Sequence, residues 1–168
     1  MGTLDLMRWR NFGLLHTRAR QGELDSQRFA AYLDERNDLE RALLESQRSG
    51  LKPEQSSREY LRIVHGLQVN LEFQNRALRT PTLDVSRGGF AVLLTFLPGI
   101  DEKVKACIEM PGNQRLIMHA RVANVRHLPT IDRVRVGFRS DAMKDSDVER
   151  LSMFIFDRVV KVLEDFVV

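Results

Sequence analysis

The chain has a single cysteine, Cys107, among 168 residues. No disulfide can form within it, so the fold must rest on burial; a lone thiol also suits a reducing compartment, and the expected location is the cytoplasm. No apolar run approaches the length of a membrane span. The opening residues MGTLDLMRWRNFGLL lack the basic start, apolar centre and small-residue cleavage site of a secretion signal. Charge of one sign is also lacking. The 26 basic and 23 acidic side chains leave only +3, too little to mark a nucleic-acid binder, for which a clustered basic face is expected. Within the basic set lysine is scarce, 5 against 21 arginines. Arginine pairs bidentately with phosphates and guanine edges, which suits an anionic ligand, although a GC-rich genome produces the same bias with no function attached. The motifs of catalysis are missing too. There is no GxxxxGK[ST], GxGxxG or HExxH, and no GxSxG, because the glycines near Ser86 lie only on its C-terminal side. His16, His65, His119 and His127 have neither metal-ligand spacing nor cysteine neighbours, so no metal and no cofactor is expected. The chain reads as a non-enzyme.

What is present is an ordinary globular composition, 43% hydrophobic and 29% charged, long enough for one domain with a core plus an extension. Residues 1–52 read as a helical extension. In SQRFAAYLDERNDLERALLESQRSG the apolar positions Phe29, Tyr32, Leu33, Leu39, Ala42, Leu43 and Leu44 recur at helical spacing. Ser26 is the expected cap, Gly50 the stop, and Pro53 lies just beyond. A shorter helix is expected ahead of it, on Leu4, Leu6, Met7, Trp9, Phe12, Leu14 and Leu15. After LKPEQSS the period changes. Leu67, Val69, Leu71 and Phe73 alternate with polar neighbours as in a half-buried strand. Further strand-like runs follow around 76–84, 89–97, 103–110, 115–127 and 131–139, punctuated by Pro98-Gly99, Pro111-Gly112-Asn113 and Pro129. Six short strands with no helix between them predict a small antiparallel barrel or sandwich. From Lys144 the helical period returns, with Val148, Leu151, Phe154, Ile155, Val159, Val162, Leu163 and Phe166 on one wide apolar face and Asp145 or Ser146 as its cap. Cys107, between apolar neighbours, is expected in the core. The predicted architecture is α+β with a mainly β core: a helical extension over 1–52, then a barrel domain over 53–168 that ends in a long helix at about 144–166.

Two short motifs sit inside this pattern. SSREYLRIV places Arg58 and Arg62 where the helical part ends and the strands begin. TLDVSRGGFAVLL places Asp84, Ser86, Gly88 and Gly89 between two apolar runs, which taken alone is a hairpin turn. An RxxxR at the entrance to the first strand, followed about 20 residues later by DxSxxG within a six-strand pattern, resembles the PilZ domain family, bacterial receptors for the second messenger cyclic di-GMP. The resemblance covers roughly residues 54–150 and takes in the late strand RVRVGFRSD.

The resemblance implies a six-stranded antiparallel PilZ-type barrel flanked by N-terminal helices and a long C-terminal helix. It also implies a ligand site made of Arg58, Arg62, Asp84, Ser86, Gly88 and Gly89. In that site Arg58 and Arg62 grip guanine O6 and N7, a phosphate or the face of a base. Asp84 accepts from guanine N1–H and N2–H₂. Ser86 holds the turn and offers its hydroxyl, while Gly89, with Gly88, allows close backbone approach or a positive φ. Ser57 stands where many relatives carry a further basic residue, which leaves one or two ligand molecules open. Arg76, Arg79 and Arg87 near the turn either add positive field or simply face solvent. The implied function is a cyclic di-GMP receptor that rearranges its helices and barrel to regulate an unidentified protein partner in motility, secretion or biofilm-type output. The rival reading is a PilZ-fold adaptor that binds no nucleotide. It rests on the surplus apolar faces of the helices at 26–49 and 144–166, which either bury each other within one chain or join two chains as a homodimer. A DNA-binding regulator, prompted by Arg8, Arg10, Arg18 and Arg20, is disfavoured: residues 1–52 hold nine basic and eight acidic side chains, a net +1.

Overall fold

The computed structural model describes residues 3–49 and 58–165, with side chains of the first helix from residue 7 onward. Gly50, Pro53, Ser57 and Phe166 lie outside the described residues. The chain divides into two compact units, one of Met1–Leu61 with Met153–Val168 and one of Arg62–Ser152.

The first unit is helical. Helix α1 spans Thr3–Arg20 and α2 spans Ser26–Ser49. Between them the chain makes a Schellman turn: Glu23 N–H donates to the Arg18 carbonyl at 3.0 Å and Gly22 N–H to that of Ala19 at 3.2 Å. Gly22, at φ +70°, supplies the left-handed residue this turn needs. The cap of α2 is Asp25 and not Ser26. Its carboxylate accepts the Arg28 N–H at 2.8 Å while its carbonyl accepts that of Phe29 at 2.8 Å, leaving Ser26 inside the first turn. The core of the unit is Phe12, Ala19, Tyr32, Leu39 and Phe156. Phe12 stacks on Tyr32 at 5.8 Å between ring centroids and meets Phe156 edge-on at 5.6 Å. Burying each such ring contributes about 1.5–3 kcal/mol. Phe156 belongs to helix α3, Asp145–Asp165, and Met153, Val159 and Val160 pack around the same core. Much of the wide apolar face of the C-terminal helix is therefore covered within one chain.

A polar pair lies inside this aromatic core. His16 is buried, with Nδ1 2.7 Å from the Tyr32 hydroxyl and Nε2 2.6 Å from Asp157 Oδ1. Arg20 takes the other Asp157 oxygen. Arg36, also buried, lays its guanidinium 5.6 Å from the Tyr32 ring centroid.

The second unit is the barrel. Its strands are β1 (Ile63–Val64), β2 (Gln68–Glu72), β3 (Ala77–Ser86), β4 (Gly89–Leu94), β5 (Lys103–Met110), β6 (Gln114–Leu128) and β7 (Arg133–Met143). They pair antiparallel in the order β1-β3-β2-β5-β6-β7-β4, and a β3–β4 pairing closes the ring. The result is the expected six-stranded barrel plus one two-residue strand, β1, laid on β3. Closure removes the open edges, and the period-2 alternation sends Val69, Leu71, Ala106, Ile108, Leu116, Met118, Val92 and Val136 into a fully buried interior. Cys107 departs from the expected core position. It is half-buried and sits opposite Asn70 and Ile117 on the outer face, because its parity is opposite to that of Ala106 and Ile108. At the start of α3 the Lys144 carbonyl accepts the Val148 N–H at 2.9 Å, so Lys144 occupies the cap position expected for Asp145 or Ser146.

Candidate functional site

The DxSxxG segment lies at the C-terminal end of β3, and a β-bulge decides where its aspartate points. Thr82 pairs with Val92, yet Asp84 pairs with Ala91, so two steps along β3 match one along β4. Directly paired residues share a face, and consecutive residues such as Ala91 and Val92 lie on opposite faces. In a regular strand Thr82 and Asp84 would share a face; the bulge turns Asp84 over to the outer one. Thr82 is spent on structure: its hydroxyl accepts from Leu67 N at 2.9 Å and donates to the His65 carbonyl at 2.7 Å.

Although on the outer face, Asp84 is only 7% exposed. A carboxylate this buried needs partners, and two arginines supply them. Arg135 Nη2 on β7 donates to Asp84 Oδ2 at 2.6 Å, and Arg62 Nε lies 3.5 Å from Oδ1. Arg62 is brought there by β1, which follows it directly and pairs Val64 with Asp84 and Ile63 with Val85. Arg135 is brought there by register. Ala91 pairs with Gly137 and Leu93 with Arg135, so Asp84, Ala91, Gly137 and Arg135 share the outer face. The trio holds two cations and one anion, a net +1 on the barrel wall.

Beyond Asp84 the chain turns through Arg87 and Gly88 into β4. Ser86 Oγ accepts the Gly88 N–H at 3.2 Å and donates to the Gly89 carbonyl at 3.3 Å, so its side chain closes the turn from inside. Ser140 N–H donates to the Gly88 carbonyl at 2.8 Å and ties the turn to β7. Gly89 has φ +153°, and a Cβ built on it would stand 1.9 Å from the Phe138 carbonyl oxygen. Only glycine fits there, both by conformation and by space.

Arg62, Asp84, Ser86, Gly88 and Gly89 therefore all belong to the barrel unit, clustered about one strand end. Arg58 falls in the helical unit. Its carbonyl accepts from Arg48 Nε at 2.8 Å, with Arg48 Nη2 as a second donor, which fastens the motif's first residue to the last turn of α2. Among the described residues no carboxylate pairs with the Arg58 guanidinium.

Sequence reasoning missed Arg135. The alternation in RVRVGF already puts Arg135 on the face opposite Val134 and Val136; which carboxylate it meets depends on barrel closure and on the bulge in β3. Among the described residues no group of three or more His, Cys, Asp or Glu side chains is placed to hold a metal ion, and no helix is long and apolar enough to cross a membrane.

The PilZ domain family model matches residues 56–157. Among solved structures, the Bacillus subtilis inhibitor of motility MotI/DgrA is similar over 62% of this chain and 52% of its own, at 20% identity and a TM-score of 0.57. Escherichia coli YcgR in complex with c-di-GMP is similar over 67% of this chain and 51% of its own, at 20% identity and TM-score 0.56. The MrkH–c-di-GMP complex of K. pneumonia is similar over 64% and 55%, at 15% identity and TM-score 0.57. The chain thus spans about half the length of these structures, and the likeness is one of fold. No curated protein matches the sequence.

Proposed function

The chain belongs to the PilZ domain family, and on that premise we propose that it is a receptor for cyclic di-GMP whose ligand is held by Arg58, Arg62, Asp84, Ser86, Gly88 and Gly89. The observation that carries the reading is the buried outer-face carboxylate of Asp84, held between Arg62 and Arg135. Each carboxylate oxygen has more than one acceptor site, so Asp84 can keep both guanidiniums and still accept the N1–H and N2–H₂ of a guanine. The surplus positive charge suits a phosphodiester, and Arg58 is available to grip a phosphate or stack on a base. That YcgR and MrkH were solved with c-di-GMP supports the ligand class; that MotI is an inhibitor of motility supports an output in motility or biofilm-type behaviour.

In this reading the protein performs no catalysis, works in the cytoplasm and acts on a protein partner. Residues 53–168 are the receptor and residues 1–52 carry the output. A ligand held by Arg58 and Arg62 together orders the segment that leads from helix to strand, so the arrangement of helices and barrel changes on binding. That shift requires the ligand to contact the two arrangements differently.

The test is a calorimetric titration of the full chain with cyclic di-GMP, with GTP and the Arg62→Ala variant as controls. Micromolar or tighter binding that is lost in Arg62→Ala, with circular dichroism unchanged, is the expected result. A well-folded protein that ignores the ligand would sink the receptor reading and transfer the weight to a PilZ-fold interaction adaptor.

A further inference from the structure

At the end of the β3–β4 hairpin away from the Ser86–Gly89 turn, a groove of about 640 Å³ opens in the barrel unit, lined by Arg76, Arg79, Thr80, Thr95, Phe96 and Arg133 among others. Leu78, at its edge, is six residues from Asp84, which along a strand is about 20 Å. At its near end Leu93 pairs with Arg135 and Arg133 stands two residues from it, so the groove begins beside the Arg135–Asp84 pair and runs away from it along the hairpin.

Its three arginines are not equivalent. Arg79 Nη2 pairs with Glu109 Oε2 at 2.9 Å. Arg133 donates to the Asp132 carbonyl at 3.0 Å, while the Asp132 carboxylate, 3.8 Å from His127, points its charge elsewhere. Arg76 lays its guanidinium 3.9 Å from the Phe96 ring centroid, and Phe96 is itself braced edge-on by Phe73 at 5.5 Å. Among the described residues neither Arg76 nor Arg133 has a carboxylate within ion-pair distance. Two cations with no carboxylate partner thus line one concavity, and one of them sits over an aromatic ring.

We propose that this groove is a second anion site that takes a phosphate ester of nucleotide size. Its volume lies in the range of small-molecule sites and is far more than a bare phosphate fills. Placed over Phe96, the Arg76 guanidinium is steadied to offer its N–H groups to an anion. Arg133 adds a second charge for the phosphate, and the Thr80 and Thr95 hydroxyls supply neutral hydrogen bonds. Glu109 keeps Arg79 compensated, which tempers the site. The inference does not depend on cyclic di-GMP binding at Asp84.

Residue-resolved NMR titration of the full chain with ADP tests it, with adenosine and inorganic phosphate as parallel probes. The expected result is saturable ADP binding, half-complete near or below about 1 mM, with amide shifts at Arg76–Thr80, Leu93–Phe96 and Arg133. Adenosine should leave these amides unmoved, and phosphate should bind at least several-fold more weakly than ADP. Arg76→Gln and Arg133→Gln should each weaken ADP about tenfold. Glu109→Gln, which releases Arg79, should tighten it, a gain that misfolding cannot produce. Shifts confined to Arg62, Asp84 and Ser86, a lack of saturation, equal affinity for phosphate and ADP, or an unchanged affinity in Glu109→Gln and in the doubly substituted arginine variant would each overturn the proposal.

Discussion

Arg135 holds Asp84: its Nη2 donates to Oδ2 at 2.6 Å, although the two residues are 51 positions apart in sequence. The pair is mostly buried, with side-chain exposures of 25% and 10%. Removing one partner of such a pair strands the other charge. Arg135→Met is expected to lower unfolding free energy by about 1–3 kcal/mol and to weaken cyclic di-GMP at least tenfold, because Asp84 loses the donor that aims it. Arg135→Lys, which keeps the charge and loses the fork, should recover part of the affinity. Urea denaturation and calorimetry on the same samples separate the two effects; a destabilised Arg135→Met with undiminished affinity would remove Arg135 from the site.

Among the barrel glycines, Gly89 has the least room for a side chain. The methyl added in Gly89→Ala would meet the Phe138 carbonyl at 1.9 Å while the backbone sits at φ +153°. β4 and β7 must then part at the residue where their ladder begins, at an expected cost of at least about 3 kcal/mol. Thermal unfolding of Gly89→Ala checks this: a midpoint within a degree or two of wild type would contradict the close approach.

Inside the helical unit, Tyr32→Phe keeps the ring stacked on Phe12 but deprives His16 Nδ1 of a partner 2.7 Å away in a buried place. The expected loss is about 1–3 kcal/mol. Phe12→Ala, which empties the middle of the aromatic cluster, should cost about 3–5 kcal/mol. Denaturation followed by helical circular dichroism measures both, and ligand affinity should stay within about twofold, since neither residue is among those proposed to hold the ligand.

Deleting residues 1–52 uncovers Phe156, Met153, Val159 and Val160, which pack against Phe12, Tyr32 and their neighbours. The fragment is expected to self-associate, and replacing Phe156 by Ser in it should return the mass of a single chain by light scattering. Its affinity for cyclic di-GMP should remain within about tenfold of the full protein, about 1.4 kcal/mol. A monomeric fragment would show that α3 needs no helical cover.

Much of the fold was legible in the chain because it rests on periodicity. Leu67, Val69, Leu71 and Phe73 at spacing two, and Phe29, Tyr32, Leu33 and Leu39 at helical spacing, declare strand and helix whatever they pack against. Gly89 was legible as a turn glycine from its motif, and it sits where a side chain cannot; Gly22, which ends α1 at φ +70°, is seen only in the fold. The caps lie one or two residues ahead of those expected, Asp25 in place of Ser26 and Lys144 in place of Asp145 or Ser146, because the competition between neighbouring positions is settled by backbone geometry. Cys107 was misplaced because its neighbours' hydrophobicity says nothing about strand parity once both faces are partly apolar.

The sequence by itself determined the element types and their order, which follow from local spacing, while the choice of a barrel over a sandwich and the pairing of the two motifs came from the resemblance to the PilZ family. Tertiary structure decided what those residues touch. Whether Asp84 faces inward or outward depends on one bulge against β4; whether Arg135 reaches it depends on closure of a six-stranded ring. Where the apolar face of α3 goes depends on Phe12 and Tyr32, far back along the chain. Each of these is a relation between segments distant in sequence, and its energy is gained only when the chain has folded and the segments meet.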